Sequence, residues 1–224
     1  MLLSKDKKIF IYFFLLIFLG SINNKNFSNS KIFHLKNFKL EGLDEKEKSN
    51  LLVELNQIKN NNIFFLPKDK ITEILNSNNL IETFLISKNY PSDLNISIKK
   101  TSFVANIKIK KKDFLIGNNK KLIRTDSVNL SLPLVLGNPS IDDFFLIKED
   151  ILKSKMNIKA IQKFYFFPSG RWDLELKNGT LIKLPSIDTV DSIDNYYKLL
   201  KLPKFKKIKF FDMRIKNQII INEL

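Results

Sequence analysis

Before any periodicity begins, the chain carries one unbroken apolar run, Ile9 to Leu19, which Gly20, Ser21 and Ile22 extend to 14 residues before Asn23. Ser4-Lys5-Asp6-Lys7-Lys8 precedes it. Three readings are open: an uncleaved signal-anchor, a cleaved signal peptide and a buried core helix. The run is shorter than the ~20 residues a straight membrane span prefers, which suits a signal-peptide core. Its cleavage pattern is poor, with only Leu19-x-Ser21 tolerable. The bulk of Ile9, Phe10, Phe13, Phe14, Leu15, Leu16, Phe18 and Leu19 favours a transmembrane signal-anchor over 9–22. Lys5, Lys7 and Lys8 then place residues 1–8 in the cytoplasm and everything after residue 22 outside it.

A polar linker over 23–32 leads into a unit with alternating and helical patterns. Phe33, Leu35, Phe38 and Leu40 predict a strand ending at Gly42. Asp44 with Glu47 three residues on forms a capping box, and Leu51, Leu52, Leu55 and Ile58 make one helical stripe. Pro67 opens a second helix with Ile71, Ile74 and Leu75 inward. Leu80–Ser87 and the alternating Leu94, Ile96 and Ile98 predict two more strands. The order is β-α-α-β-β, with a core of Leu40, Leu51, Leu55, Ile71, Leu75, Ile96 and Ile98.

From Val104 the chain becomes mostly strands. A turn at Gly117-Asn118-Asn119 separates two of them, and Leu132–Pro139 is extended. Ser140 with Asp143 caps a helix carrying Phe144, Ile147 and Ile151. Trp172, Leu174 and Leu176 alternate, and Asn178-Gly179 turns them into Leu181–Leu184. A helix over 193–202, a strand over Ile208–Ile215, a turn at Lys216-Asn217-Gln218 and a closing strand Ile219-Ile220-Ile221 follow. The fold class is therefore α+β: an N-terminal transmembrane helix, a β-α-α-β-β domain over 33–101, and a mixed, mostly antiparallel β domain with flanking helices over 102–224.

Composition narrows the chemistry. The 224 residues contain no cysteine and one histidine, His34. Disulfide scaffolds, thiolate metal sites, cysteine nucleophiles and multi-histidine metal sites are excluded. Neither a Gly-x-Ser-x-Gly turn nor a P-loop occurs. No cofactor is expected. The formal charge of +15 rests almost wholly on lysine, with Arg124, Arg171 and Arg214 as the exceptions. Nucleic-acid readers lean on the arginine fork, so neither nucleic acid nor a small-molecule substrate is expected. Lys, Asn, Ile and Phe share A/T-rich codons, and the charge reads first as compositional drift, then as attraction to an anionic membrane.

Several segments carry a resemblance. Phe38-Lys39-Leu40-Glu41-Gly42, Ser87-Lys88-Asn89-Tyr90-Pro91-Ser92-Asp93-Leu94, Leu132-Pro133 with Gly137, Arg171-Trp172-Asp173-Leu174 with Asn178-Gly179 and Leu184-Pro185, and Phe211-Asp212-Met213-Arg214 follow one another in order. Together they resemble the FtsQ/DivIB family of bacterial cell-division proteins, α-proteobacterial type, and the β-α-α-β-β unit resembles a POTRA domain. Lys100-Thr101-Ser102-Phe103-Val104-Ala105 departs from the family's Glu-Arg-x-Pro-x-Ala. The resemblance implies a non-catalytic divisome scaffold, single-pass in the inner membrane at the septum, its C-terminal part periplasmic. It implies FtsB and FtsL as partners, received on the last strand. Two alternatives are a POTRA-containing factor of outer-membrane protein assembly or secretion, and a periplasmic enzyme with a Ser–Lys dyad.

The residues point to the same strand. A closing apolar strand without proline makes a sheet edge open to another strand, so Ile219, Ile220 and Ile221 are candidate partner-binding residues. Arg214 and Arg171 are added because a fork in a lysine-rich chain has a reason to hold a carboxylate. Ile220→Pro disrupts binding if its N–H points outward and disrupts the sheet if inward.

Overall fold

The computed structural model describes residues 5–22, 31–215 and 218–222. Of the expected linker over 23–32, residues 23–30 lie outside the described residues and Lys31 and Ile32 belong to a short 3₁₀ turn; of the expected turn Lys216-Asn217-Gln218, residues 216 and 217 lie outside them. The chain separates into two compact units, Met1–Lys100 and Thr101–Leu224, and the described residues form an α+β fold with mixed sheets.

Helix α1, Lys5–Ile22, forms over the apolar run. Its side chains from Lys7 to Gly20 are exposed on every side. The expectation of a full-length span needs correction: among the described residues no helix is long and apolar enough to cross a membrane. The reason is length. Lys5, Asp6, Lys7 and Lys8 occupy the first turn, and the 14 residues from Ile9 to Ile22 rise only about 21 Å against a hydrocarbon layer of about 30 Å.

The rest of this unit runs β1 (Asn37–Glu41), α2 (Glu45–Leu55), α3 (Lys68–Ser77), β2 (Ile81–Asn89) and β3 (Asp93–Lys100). The capping box forms as read: Asp44 accepts from the Glu47 N–H at 2.9 Å, and the Asp44 N–H donates to Glu47 Oε2 at 3.0 Å. Strand β3 is central, with β2 antiparallel on one side and β1 parallel on the other. Each of the expected core residues is buried, joined by Leu35, Ile58, Ile63 and Leu94. Phe33, expected in the first strand, lies instead in a short 3₁₀ turn, Lys31–Phe33.

The second unit is one nine-stranded sheet, ordered β12-β11-β10-β9-β8-β7-β4-β5-β6. Its strands are β4 (Phe103–Ile109), β5 (Lys112–Gly117), β6 (Leu122–Arg124), β7 (Leu134–Leu136), β8 (Ile161–Phe166), β9 (Trp172–Leu176), β10 (Leu181–Lys183), β11 (Phe210–Asp212) and β12 (Ile220–Ile221). Helices α4 (Ile141–Lys153) and α5 (Thr189–Leu200) interrupt them.

Three neighbouring pairs are parallel: β4 with β7, β7 with β8, and β10 with β11. Two of these are crossovers, because α4 joins β7 to β8 and α5 joins β10 to β11, and a helix returns the chain to the end it started from. Phe144, Ile147 and Ile151 of α4 and Ile193 and Tyr196 of α5 share a core with Phe164, Trp172, Leu174, Ile182 and Phe211. Trp172 is a core aromatic, its ring 4.8 Å from Phe166 and 6.2 Å from Phe164 between centroids. Buried Asn106 on β4 fastens the segment before β7: its amide donates to the Asn129 and Leu132 carbonyls at 2.8 and 3.1 Å, and its oxygen accepts from the Asn129 N–H at 2.9 Å.

Gly42 ends β1 at φ +92°, and a Cβ there would lie 1.8 Å from the Ile98 carbonyl oxygen. Gly170, at φ +76°, has open space where its Cβ would stand. Gly42→Ala should therefore lower stability by about 3 kcal/mol or more and Gly170→Ala by about 1 kcal/mol, measured by urea unfolding.

Candidate functional site

The end of the nine-stranded sheet has two unlike faces. Trp172, Leu174 and Leu176 of β9 face the helices, so Asp173 and Glu175 face the other way. Register then lays a row across four strands: Asp173 on β9, Lys183 on β10, Asp212 on β11 and Ile220 on β12. Because β9 runs opposite to β10 and β11, Arg171 and Arg214 both lie just beyond this row at the same end. Each is two residues from its carboxylate, the spacing that puts both side chains on one strand face.

Arg214 grips Asp212 through two nitrogens. Nε donates to Oδ1 at 2.8 Å and Nη2 to Oδ2 at 2.5 Å, while the Arg214 backbone N–H donates to Oδ1 at 3.2 Å. Arg171 Nε donates to Asp173 Oδ1 at 3.2 Å, and its guanidinium stacks 4.1 Å above the Phe167 ring. Both forks are thus engaged by the chain's own buried carboxylates. A second cluster occupies the same face: Tyr165 O–H donates to Glu175 at 2.5 Å and Lys163 Nζ to the same carboxylate at 3.0 Å.

The two aspartates respond to these surroundings in opposite directions. The Arg214 hydrogen bonds hold the Asp212 carboxyl below the usual 3.8, ahead of an opposing burial effect. Burial pushes Asp173 up, with Arg171 only partly countering it.

Strand β12 is the outermost strand of this sheet among the described residues. Asp212 pairs with Ile220 and Phe211 with Ile221. The expected three-residue strand is shorter here, with Ile219 preceding it. The Met213 N–H donates to the Lys183 carbonyl at 2.9 Å, and the Lys209 carbonyl accepts from the Leu181 N–H at 2.8 Å. Odd-numbered residues of this stretch therefore direct their backbone groups at β10, and Asp212, by alternation, directs its own at Ile220. The Ile220 N–H and C=O face inward, onto β11. Those of Ile221 face outward.

The side chains divide likewise. Ile221 packs against the core. Ile220 is exposed and, with Asp212, Arg214, Ile215 and Gln218, lines a pocket of about 290 Å³. A groove of about 850 Å³ adjoins it, lined by Asp191, Asn195, Lys198 and Leu199 of α5 and sharing Arg214, Ile215 and Gln218 with the pocket. The arrangement presents an open strand edge beside fixed charges and a groove.

The sequence singled out Arg171, Arg214 and the closing isoleucines as candidates, and did not single out Asp173, Lys183 and Asp212, which the register places beside them. The signal was present: Arg-x-Asp at 171–173 and Asp-x-Arg at 212–214.

Comparison with known proteins adds little here. No protein-family model and no curated protein matches the chain. Among solved structures it is similar to the major extracytoplasmic domain of the trans isomer of the bacterial cell division protein DivIB from Geobacillus stearothermophilus. The identity is 12%, the match covers 47% of this chain and 96% of that one, and the TM-score is 0.35. A likeness this distant carries no argument.

A lowered carboxyl stabilises the fold above its unfolded value and loses that contribution as pH falls through the folded one; a raised carboxyl does the reverse. Asp212→Asn should cost about 1.5 kcal/mol at pH 7 by urea unfolding, modest because the Arg214 side chain is 42% exposed. That gap to the wild type should close below pH 3.8. Asp173→Asn should give a smaller gap at pH 7 that widens as pH falls.

Proposed function

We propose that this chain is a non-catalytic, membrane-attached scaffold of the bacterial division apparatus, and that its closing edge strand receives an extended segment of a partner. The observation that carries this reading is the outward-facing backbone of Ile221 on the outermost strand, with Ile220 and Arg214 in the recess beside it. An added strand gains main-chain hydrogen bonds there, and the flanking side chains supply selectivity. The ordered motifs from Phe38 to Arg214 support a place in the FtsQ/DivIB family, which makes the FtsB–FtsL pair the expected partner and the periplasm the place of meeting.

Helix α1 supports the attachment. A helix apolar on all sides needs an apolar surround, and its residues from Ile9 to Leu19 are exposed in the chain itself. Lysines reaching for headgroups and local thinning of the bilayer are the ways a short apolar run is accommodated. Full-length chain should therefore remain with membranes through a carbonate wash and keep its N-terminus by mass spectrometry. A mature protein beginning near residue 22 would remove the anchor.

The direction of the backbone groups decides which proline variant tests the edge. Ile221→Pro deletes an outward donor and should weaken capture of the FtsB–FtsL pair about tenfold, some 1.4 kcal/mol. Ile220→Pro deletes the inward donor and should loosen β12 from β11, visible as lost hydrogen-exchange protection at Asp212. Undiminished capture by a folded Ile221→Pro protein moves the partner site off this strand.

A further inference from the structure

We propose that the aromatic face at which the chain enters its N-terminal unit seats on the headgroup layer of an anionic membrane. The proposal rests on the reading of α1 as the membrane-attached segment.

The face is a strip built from three separate stretches, at Phe33, Phe64-Phe65 and Tyr90. The Phe33 and Phe64 rings meet edge to face with centroids 5.2 Å apart, and Phe64 stacks on Tyr90 at 4.9 Å. Phe65 follows Phe64 in the same short 3₁₀ turn, Ile63–Phe65. Phe33 packs against the edge of the core, while the other rings stand out from it: Phe64 is 42% exposed, Phe65 60% and Tyr90 54%. Exposed apolar side chains scattered singly are ordinary, whereas rings gathered side by side mark a contact surface.

Cations border the strip. Lys31 and Ile32 precede Phe33, and Lys68 opens α3 three residues after Phe65. Lys88 Nζ donates to the Phe64 carbonyl at 3.3 Å. Burial, then the like charge of Lys68, hold the Lys88 amine below its ordinary range. An anion placed among these amines relieves that repulsion. Aromatic rings backed by lysines are what the interface of an anionic bilayer selects.

The chain itself supplies the proximity. Lys31 lies nine residues after Ile22, the end of α1, so even a fully extended connection spans only about 32 Å. The connection enters the unit at Phe33, in the strip. Of all the faces of this unit, this one is closest to α1 along the chain. The opposite ends of the unit make a built-in comparison: Asn89 adjoins Tyr90 at one end of β2, and Thr83 lies six residues back, roughly 20 Å away.

The absence of native cysteine allows single-site nitroxide labels on full-length chain. The variants Asn89→Cys, Thr83→Cys and Leu15→Cys would be reconstituted in nanodiscs of phosphatidylethanolamine and phosphatidylglycerol. Collision with a water-soluble nickel chelate should be about fivefold lower at position 89 than at 83. Phe65→Glu with Lys68→Glu should abolish that difference, with circular dichroism confirming the fold. Equal accessibility at 89 and 83 with the Leu15 label shielded overturns the proposal and leaves the α1 reading standing. That result is also the one expected if a protein, not lipid, covers the strip. A water-accessible Leu15 label overturns both.

Discussion

Two residues of strand cannot hold themselves on a sheet. The backbone bonds that Ile220 and Ile221 make with β11 are too few to outweigh the entropy of ordering the chain. Ile221 adds a side-chain hold by packing against the helix-covered core, and Asp212, the residue opposite Ile220, is itself fixed by Arg214 at the exit from β11. The short edge is consequently placed by its neighbours and leaves its outer backbone groups uncommitted.

The charged row that performs the clamping sits on the face left bare by the two crossovers. With α4 and α5 on one side of the sheet, the other side has to solvate its own side chains. Asp173 and Asp212 are buried between strands all the same, and each is met by a guanidinium. Lysine, used nearly everywhere else in this chain, would offer a single point charge there. The planar fork of Arg214 satisfies two oxygens at once and stays charged at any relevant pH. Two of the chain's three arginines fall at these positions, a choice made against a strong compositional drift toward lysine.

Much of this was legible in the residues. Both capping boxes, the stripes of α2 and α4, the hairpin at Asn178-Gly179 and the inward set of β9 each follow from spacing alone, because they depend on neighbours within a turn or a strand. What was not legible depends on distant partners. The helix at 189–200 could be seen beginning near Ile193, but not its role of returning β11 parallel to β10. A strand at the end of the chain could be read; which of its isoleucines turns its N–H outward could not, since that parity is set by Lys183 and Leu181 on another strand. Nothing in the sequence singled out Asn106; only the segment that folds back over it makes it a buried clamp. The apolar run at the N-terminus was legible together with its shortness, and the helix it forms is no longer than the run allows.

The parallel pairing of β1 with β3 also orders events in time. Asn37 hydrogen-bonds Asp93, 56 residues away, so the first strand of the N-terminal unit leaves the ribosome long before its mate exists. The β2–β3 hairpin and the two helices close over short distances and can form early, but they leave one side of β3 bare. Until residues 37–41 slot into that gap, the half-built unit exposes unpaired backbone beside an incomplete core, the kind of surface chaperones hold. Gly42 sits at the end of this late strand, against Ile98. Its missing side chain is what lets the final piece slide home.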